Sequence, residues 1–124
     1  MKFAAIIEYS QDKAKVQALR PVHRQYLAGL RERGQLVAAG PFTDDSGALI
    51  VYEAASAEEA EKILQGDPFH HNGIFLKYVL RPWNPVLVNR DLFYTGLLFG
   101  LYALLRDGVL LLRRLRQPAA ARMP

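Results

Sequence analysis

The sequence predicts an α+β fold in which an antiparallel sheet is built from the order strand–helix–strand–strand–helix–strand. Three observations carry that expectation. Apolar side chains alternate at a spacing of two over residues 3–9 and recur at three and four over residues 22–30. Residues 35–54 then read as two strands joined by strong turn chemistry. A capped helix and a last alternating strand follow over residues 56–81. This βαββαβ order is the split-βαβ, ferredoxin-like arrangement, with both helices on one face of the sheet.

Each element has its own signal. Lys2 to Tyr9 is a strand with Phe3, Ala5, Ile7 and Tyr9 on one face, and Gln11 to Lys15 is a polar connection. Pro21 opens or re-opens a helix, because its ring suits a first turn and its missing N–H costs nothing there. Val22, Tyr26, Leu27 and Leu30 give that helix an apolar face, and Gly34 suits its C-terminal cap. Gln35–Phe42 is a strand stopped by Gly40-Pro41. Asp44-Asp45-Ser46-Gly47 is a turn, and Ala48–Ala54 completes a hairpin. Ser56 stands three residues before Glu59, a capping box that starts a second helix, which Gly66-Asp67-Pro68 ends. Ile74–Arg81 is the fourth strand, with Ile74, Leu76, Tyr78 and Leu80 alternating against Phe75, Lys77 and Val79, until Pro82 and Pro85 stop it.

Several strands are apolar on both sides: Ala4 and Ile6 as well as Phe3 and Ile7, Ile50 as well as Leu49 and Val51. Helices on one face leave the other needing cover, and a second copy of the same sheet is the simplest one, so a homodimer is expected. Charge bears on other partners. The chain of 124 residues carries a net charge of +4, but residues 1–90 hold 11 Lys/Arg against 10 Asp/Glu. The basic excess lies in residues 91–124, with 5 against 2. A nearly neutral folded part argues against nucleic acid, which selects a basic stripe on the fold. The absence of cysteine excludes disulfides, zinc–thiolate sites and thiol nucleophiles. The start, MKFAAIIEY, is too short and wrongly flanked for a signal peptide, so the expected location is cytoplasmic. No phosphate-binding glycine loop is present.

The pieces Arg20-Pro21-Val22-His23 with Tyr26-Leu27, Gly34–Phe42 (GQLVAAGPF), Gly66-Asp67-Pro68-Phe69, Gly73 and Arg81-Pro82-Trp83 occur in order on these elements. In this the chain resembles the YciI-like (YCII-related) family of the dimeric α/β-barrel superfamily, over residues 1 to about 84. The resemblance implies a dimeric barrel and a His–Asp pair as catalytic centre, here His23 and Asp67. Members resemble muconolactone-isomerase-type proteins. That implies a cofactor-free isomerase or lyase acting on a small lactone or phenolic compound. A non-catalytic small-molecule binding module is the alternative, with a cofactor-free monooxygenase behind it.

The residues are consistent with such a pair. His23 lies four before Leu27 and seven before Leu30, so it shares the sheet-facing side of its helix, where an imidazole wants a partner. A carboxylate on one ring nitrogen sets the tautomer and leaves the other as a general base, although the same bond could simply tie helix to loop. Arg20 is a candidate for holding a substrate carboxylate. Phe42, Phe69 and Trp83, with Tyr9, are candidates for an aromatic-friendly pocket or for ordinary core. His70-His71 lack a third placed ligand, so no metal is expected.

Residues 91–124 form a separate segment. Leu92 to Leu105 is an uncharged run of 14 residues, Arg106-Asp107-Gly108 interrupts it, and apolar residues resume to Leu115. An apolar or amphipathic helix over residues 92–115 is expected, packing on protein, lying on a membrane surface or spanning a membrane. A 21-residue helix would reach about 31 Å, but the central charge pair costs several kcal/mol in a bilayer. Gln117 onward reads as disordered.

Overall fold

The computed structural model describes residues 1–92, and the expected C-terminal helix and tail lie outside the described residues. The chain divides into two units, residues 1–84 and 85–124, a few residues earlier than the boundary expected near residue 90. In the second unit the described residues include one 3-10 turn, Arg90–Leu92. Among the described residues no helix is long and apolar enough to cross a membrane.

The first unit contains β1 (Lys2–Tyr9), α1 (Lys13–Glu32), β2 (Leu36–Pro41), β3 (Gly47–Glu53), α2 (Ala57–Gln65), α3 (Pro68–His71) and β4 (Phe75–Trp83). The strands form one antiparallel sheet in the order β2-β3-β1-β4. Phe3, Ala5, Ile7 and Tyr9 of β1 and Ile50 and Tyr52 of β3 are buried in the core with Val16 and Leu30 of α1 and Ala60, Ile63 and Leu64 of α2.

Helix α1 starts eight residues before Pro21. Asp12 caps it by accepting from the Lys15 backbone N–H at 3.1 Å, a stronger start signal than the proline. Pro21 sits inside the helix on its exposed side, as does Gln17, whose carbonyl loses its intrahelical donor there and can be met by water. Val22 is exposed, so it does not belong to the packing face. Val16, His23 and Leu30, seven apart, are the buried residues of α1. The helix ends as the sequence indicates. Gly34 takes φ +72°, its N–H donates to the Arg31 carbonyl, and the Gln35 N–H donates to the Leu30 carbonyl at 2.8 Å.

The edge strand β2 ends at Pro41, inside its expected range, while the edge strand β4 runs past its expected end at Arg81 to Trp83. Gly40 and Pro41 pair within β2, and Pro82 and Trp83 within β4, because an edge strand can spare an outward N–H. The alternation expected along β4 also changes phase. Tyr9 pairs with Phe75 but Glu8 with Lys77, so Leu76 is an extra residue in a bulge and stands exposed. Phe75 therefore faces the core together with Tyr78 and Leu80. Helix α2 begins with its expected capping box, the Ser56 hydroxyl accepting from the Glu59 N–H at 3.1 Å. The short helix α3 was not expected from the sequence, and it matters for the site.

Candidate active site

One side of α1 carries the polar side chains of the site. Arg20, His23, Arg24 and Leu27 fall at i, i+3, i+4 and i+7 and so line up along one side. The chain after α2 supplies the partner. Pro68 occupies the first turn of α3, and Asp67 before it adopts an extended conformation as N-cap, its Oδ1 accepting from the Phe69 N–H at 2.9 Å. Gly66 lets α1 come this close, since a Cβ there would lie 2.7 Å from the Tyr26 hydroxyl oxygen. That hydroxyl in turn donates to the Ile63 carbonyl at 2.6 Å, tying α1 to α2.

Among the described residues His23 and Asp67 are the two buried polar ones, 5% and 0% exposed. Nδ1 of His23 lies 2.7 Å from Oδ1 and 2.9 Å from Oδ2 of Asp67. A carboxylate accepts, so Nδ1 is the donor in this bond, and Nε2 takes no part in it. The imidazole is also clamped from behind. Phe69 stacks on it with centroids 3.9 Å apart and planes at 4°, while Phe75 meets it edge-on at 6.1 Å.

Nε2 has no hydrogen-bond partner among the described residues, and His23 lines a cleft of about 160 Å³. Arg20, Arg24 and Leu27 of α1, Tyr9 of β1, and residues 39–41 of β2 complete its mouth, with Ala48 and Ile50 of β3 beneath. Burial raises the Tyr9 hydroxyl to about pKa 12, so at neutral pH it is a proton donor. Arg20 pairs with Asp45 of the β2–β3 turn at 2.7 Å.

The structure thus brings His23, Asp67, Phe69 and Arg20 together, with Phe69 backing the imidazole from outside the cleft. It places Phe42 and Trp83 elsewhere in the chain. Phe42 borders a separate hollow on the open sheet face with Ile6, Glu8, Lys77 and Val79. Trp83 is exposed at the end of β4, paired with Lys2. Phe42 opens the β2–β3 turn, its N–H donating to the Gly47 carbonyl at 2.8 Å, and Trp83 follows the β4 register, so neither lines the cleft beside α1. His70 and His71 end α3 with rings 6.5 Å apart. Arg24 escaped the sequence reading, although its spacing of four from Arg20 was a usable signal.

The sheet order, the helices on one face and the buried carboxylate–imidazole pair define a ferredoxin-like α+β domain with a polar site under α1. The model of the YCII-related domain matches residues 1–84, and the chain belongs to that family. Among solved structures it is similar to a 5-chloro-2-hydroxyhydroquinone dehydrochlorinase from Burkholderia phenoliruptrix, determined in complex with 2,5-dihydroxybenzoquinone. The two share 24% identity over 68% of this chain and 94% of that one, with a TM-score of 0.59, a likeness of fold. No curated protein matches the chain.

Proposed function

We propose that this protein is a cofactor-independent lyase or isomerase acting on a single-ring phenolic or lactone compound, with His23 as general base and Asp67 as its orienting partner. One observation carries the reading: the imidazole is fixed by a buried carboxylate on one nitrogen and borders a cleft with the other unbonded. A structural tie needs only the first half of that arrangement. Cleft size supports the substrate class, since a cavity of about 150 Å³ is known to take up a benzene ring. Nε2 takes a proton from a carbon or hydroxyl of the substrate. The electron pair left behind either expels a leaving group or shifts a double bond, and in the latter case the proton returns to another carbon. The imidazolium formed meanwhile is held against Asp67. The dehydrochlorinase of similar fold makes a hydroxylated, chlorinated hydroquinone the first substrate to try.

The working form in this proposal is a homodimer joined through the uncovered sheet face. Ile6 pairs in register with Leu49 and Val79, and the three are 49%, 42% and 57% exposed. Such a row on one chain is a cost that a second copy removes.

The test is chloride release from 5-chloro-2-hydroxyhydroquinone by full-length protein, with and without EDTA. Turnover that survives EDTA, falls about 10²–10⁴-fold in His23→Ala and falls less in Asp67→Asn is expected. Binding of 2,5-dihydroxybenzoquinone without turnover would favour a non-catalytic binding module. Turnover unchanged in His23→Ala would remove the proposed base.

A further inference from the structure

We infer that the cleft selects an anionic ring compound, a carboxylate or an acidic phenolate, and that Arg24 is the cation that anchors it. The inference rests on the cleft being the ligand site and adds the charge of the ligand and the residue that reads it.

Two arginines flank His23 on the same side of α1, one three residues before it and one directly after, and both line the cleft. Their situations differ. The Arg20 guanidinium is already neutralised by Asp45, at 2.7 Å and with both side chains partly buried. Arg24 has no hydrogen bond or ion pair among the described residues, and its side chain is exposed at the cleft edge. A guanidinium is a bidentate donor for a carboxylate or a vicinal dioxygen group, and an unengaged one loses no existing partner on binding. Tyr9 also lines the cleft, within the field of Arg20 and Arg24 as well as of Asp45 and Asp67, and its O–H bonds no described residue. A ring in the cleft would therefore have a free cation, a neutral hydroxyl donor and the imidazole among its neighbours. No carboxylate lines the cleft itself; the nearest, Asp67 and Asp45, are engaged by His23 and Arg20. An anionic ring also complements the reaction, because its charge holds the ring at Arg24 while His23 works at a different atom.

Asp45 sharpens the idea. It sits at φ +60° in the β2–β3 turn, a left-handed conformation that asparagine also tolerates. Asp45→Asn therefore keeps the turn while releasing Arg20 as a second cation.

Benzoate and its neutral isostere benzamide are the probes, added to the full chain while binding is read by calorimetry and by the His23 ring resonances. Benzoate is expected to bind at least about ten-fold more tightly than benzamide, the range a charged hydrogen bond supplies. Arg24→Gln, at an exposed helix position, should bring the two within about two-fold, and Asp45→Asn should tighten benzoate several-fold. Circular dichroism establishes that each variant is folded. Equal affinities in the wild type, or a preference for benzoate that survives Arg24→Gln, would overturn the inference and leave the cleft as a ligand site. If neither probe moves the His23 resonances, the cleft reading falls and this inference falls with it.

Discussion

The two faces of the sheet are made by the same strands and live under different rules. On the helix side Phe3, Ala5, Ile7 and Tyr9 of β1 are all nearly inaccessible, while one residue along the same strand Ile6 is half exposed. The covered face is closed by α1, α2 and α3, and it is there that a carboxylate and an imidazole can be held in fixed geometry out of water. The open face carries an apolar centre of Ile6, Leu49 and Val79 flanked by charged pairs, Lys2 with Glu53 and Glu8 beside Lys77. One face is closed within the chain and holds the buried His23–Asp67 pair, and the other leaves Ile6, Leu49 and Val79 exposed. Strand periodicity of two assigns residues to faces, but only the helices decide which face becomes a core.

The largest effect is expected where the covered face supports the site. Phe69 is fully buried, stacks on His23 and meets Tyr9 and Phe75 edge-on. Phe69→Ala should cost about 3–5 kcal/mol of stability in denaturant unfolding and should loosen the imidazole. A loss below about 1 kcal/mol would mean that the covered face is not packed around that ring.

The open face should answer differently. Ile6→Asp puts a charge in the middle of the exposed apolar row, where a dimer would bury about 1.5–3 kcal/mol per large side chain. Sedimentation should then shift from dimer to monomer at micromolar concentration while the far-ultraviolet spectrum is kept. A dimer that persists, or a wild type that is already monomeric, would remove the proposed role of this face.

A smaller effect tests an imperfection on the covered side. The Tyr52 hydroxyl is buried with no hydrogen-bond partner among the described residues, and burial raises its pKa strongly. Tyr52→Phe should leave stability unchanged or raise it by about 1 kcal/mol, since an unsatisfied buried group is removed. Alkali provides the second readout. An unfolded tyrosine releases its proton near pH 10, whereas folded Tyr9 holds it to about 12. The stability these hydroxyls contribute is therefore fully present below pH 10 and is lost as pH rises toward 12. Tyr52→Phe should make that loss shallower between pH 10 and 12, and an unchanged slope would show that Tyr52 ionises as freely folded as unfolded.

The sequence by itself determined neither the Asp12 cap of α1 nor the short helix α3, but it did determine the βαββαβ order, the core face of β1, the Ser56 capping box, the β2–β3 turn and the candidacy of His23. Each is set by interactions within about one turn or one strand of chain, where spacing and side-chain type suffice. It also marked Asp67 through the blocks shared with the YCII-related family, although the pair meets across 44 residues of sequence. Only the tertiary structure decided what depends on neighbours distant in the chain. A bulge against Glu8 and Tyr9 reversed the phase of β4, and its edge position admitted Pro82 into a strand that the sequence closes at Arg81. Asp45, from a turn 25 residues away, occupied Arg20 and left Arg24 unpaired beside the cleft. Trp83 went elsewhere because strand register, which no local pattern encodes, sets where an aromatic side chain points, and Phe42 went elsewhere because it opens the β2–β3 turn.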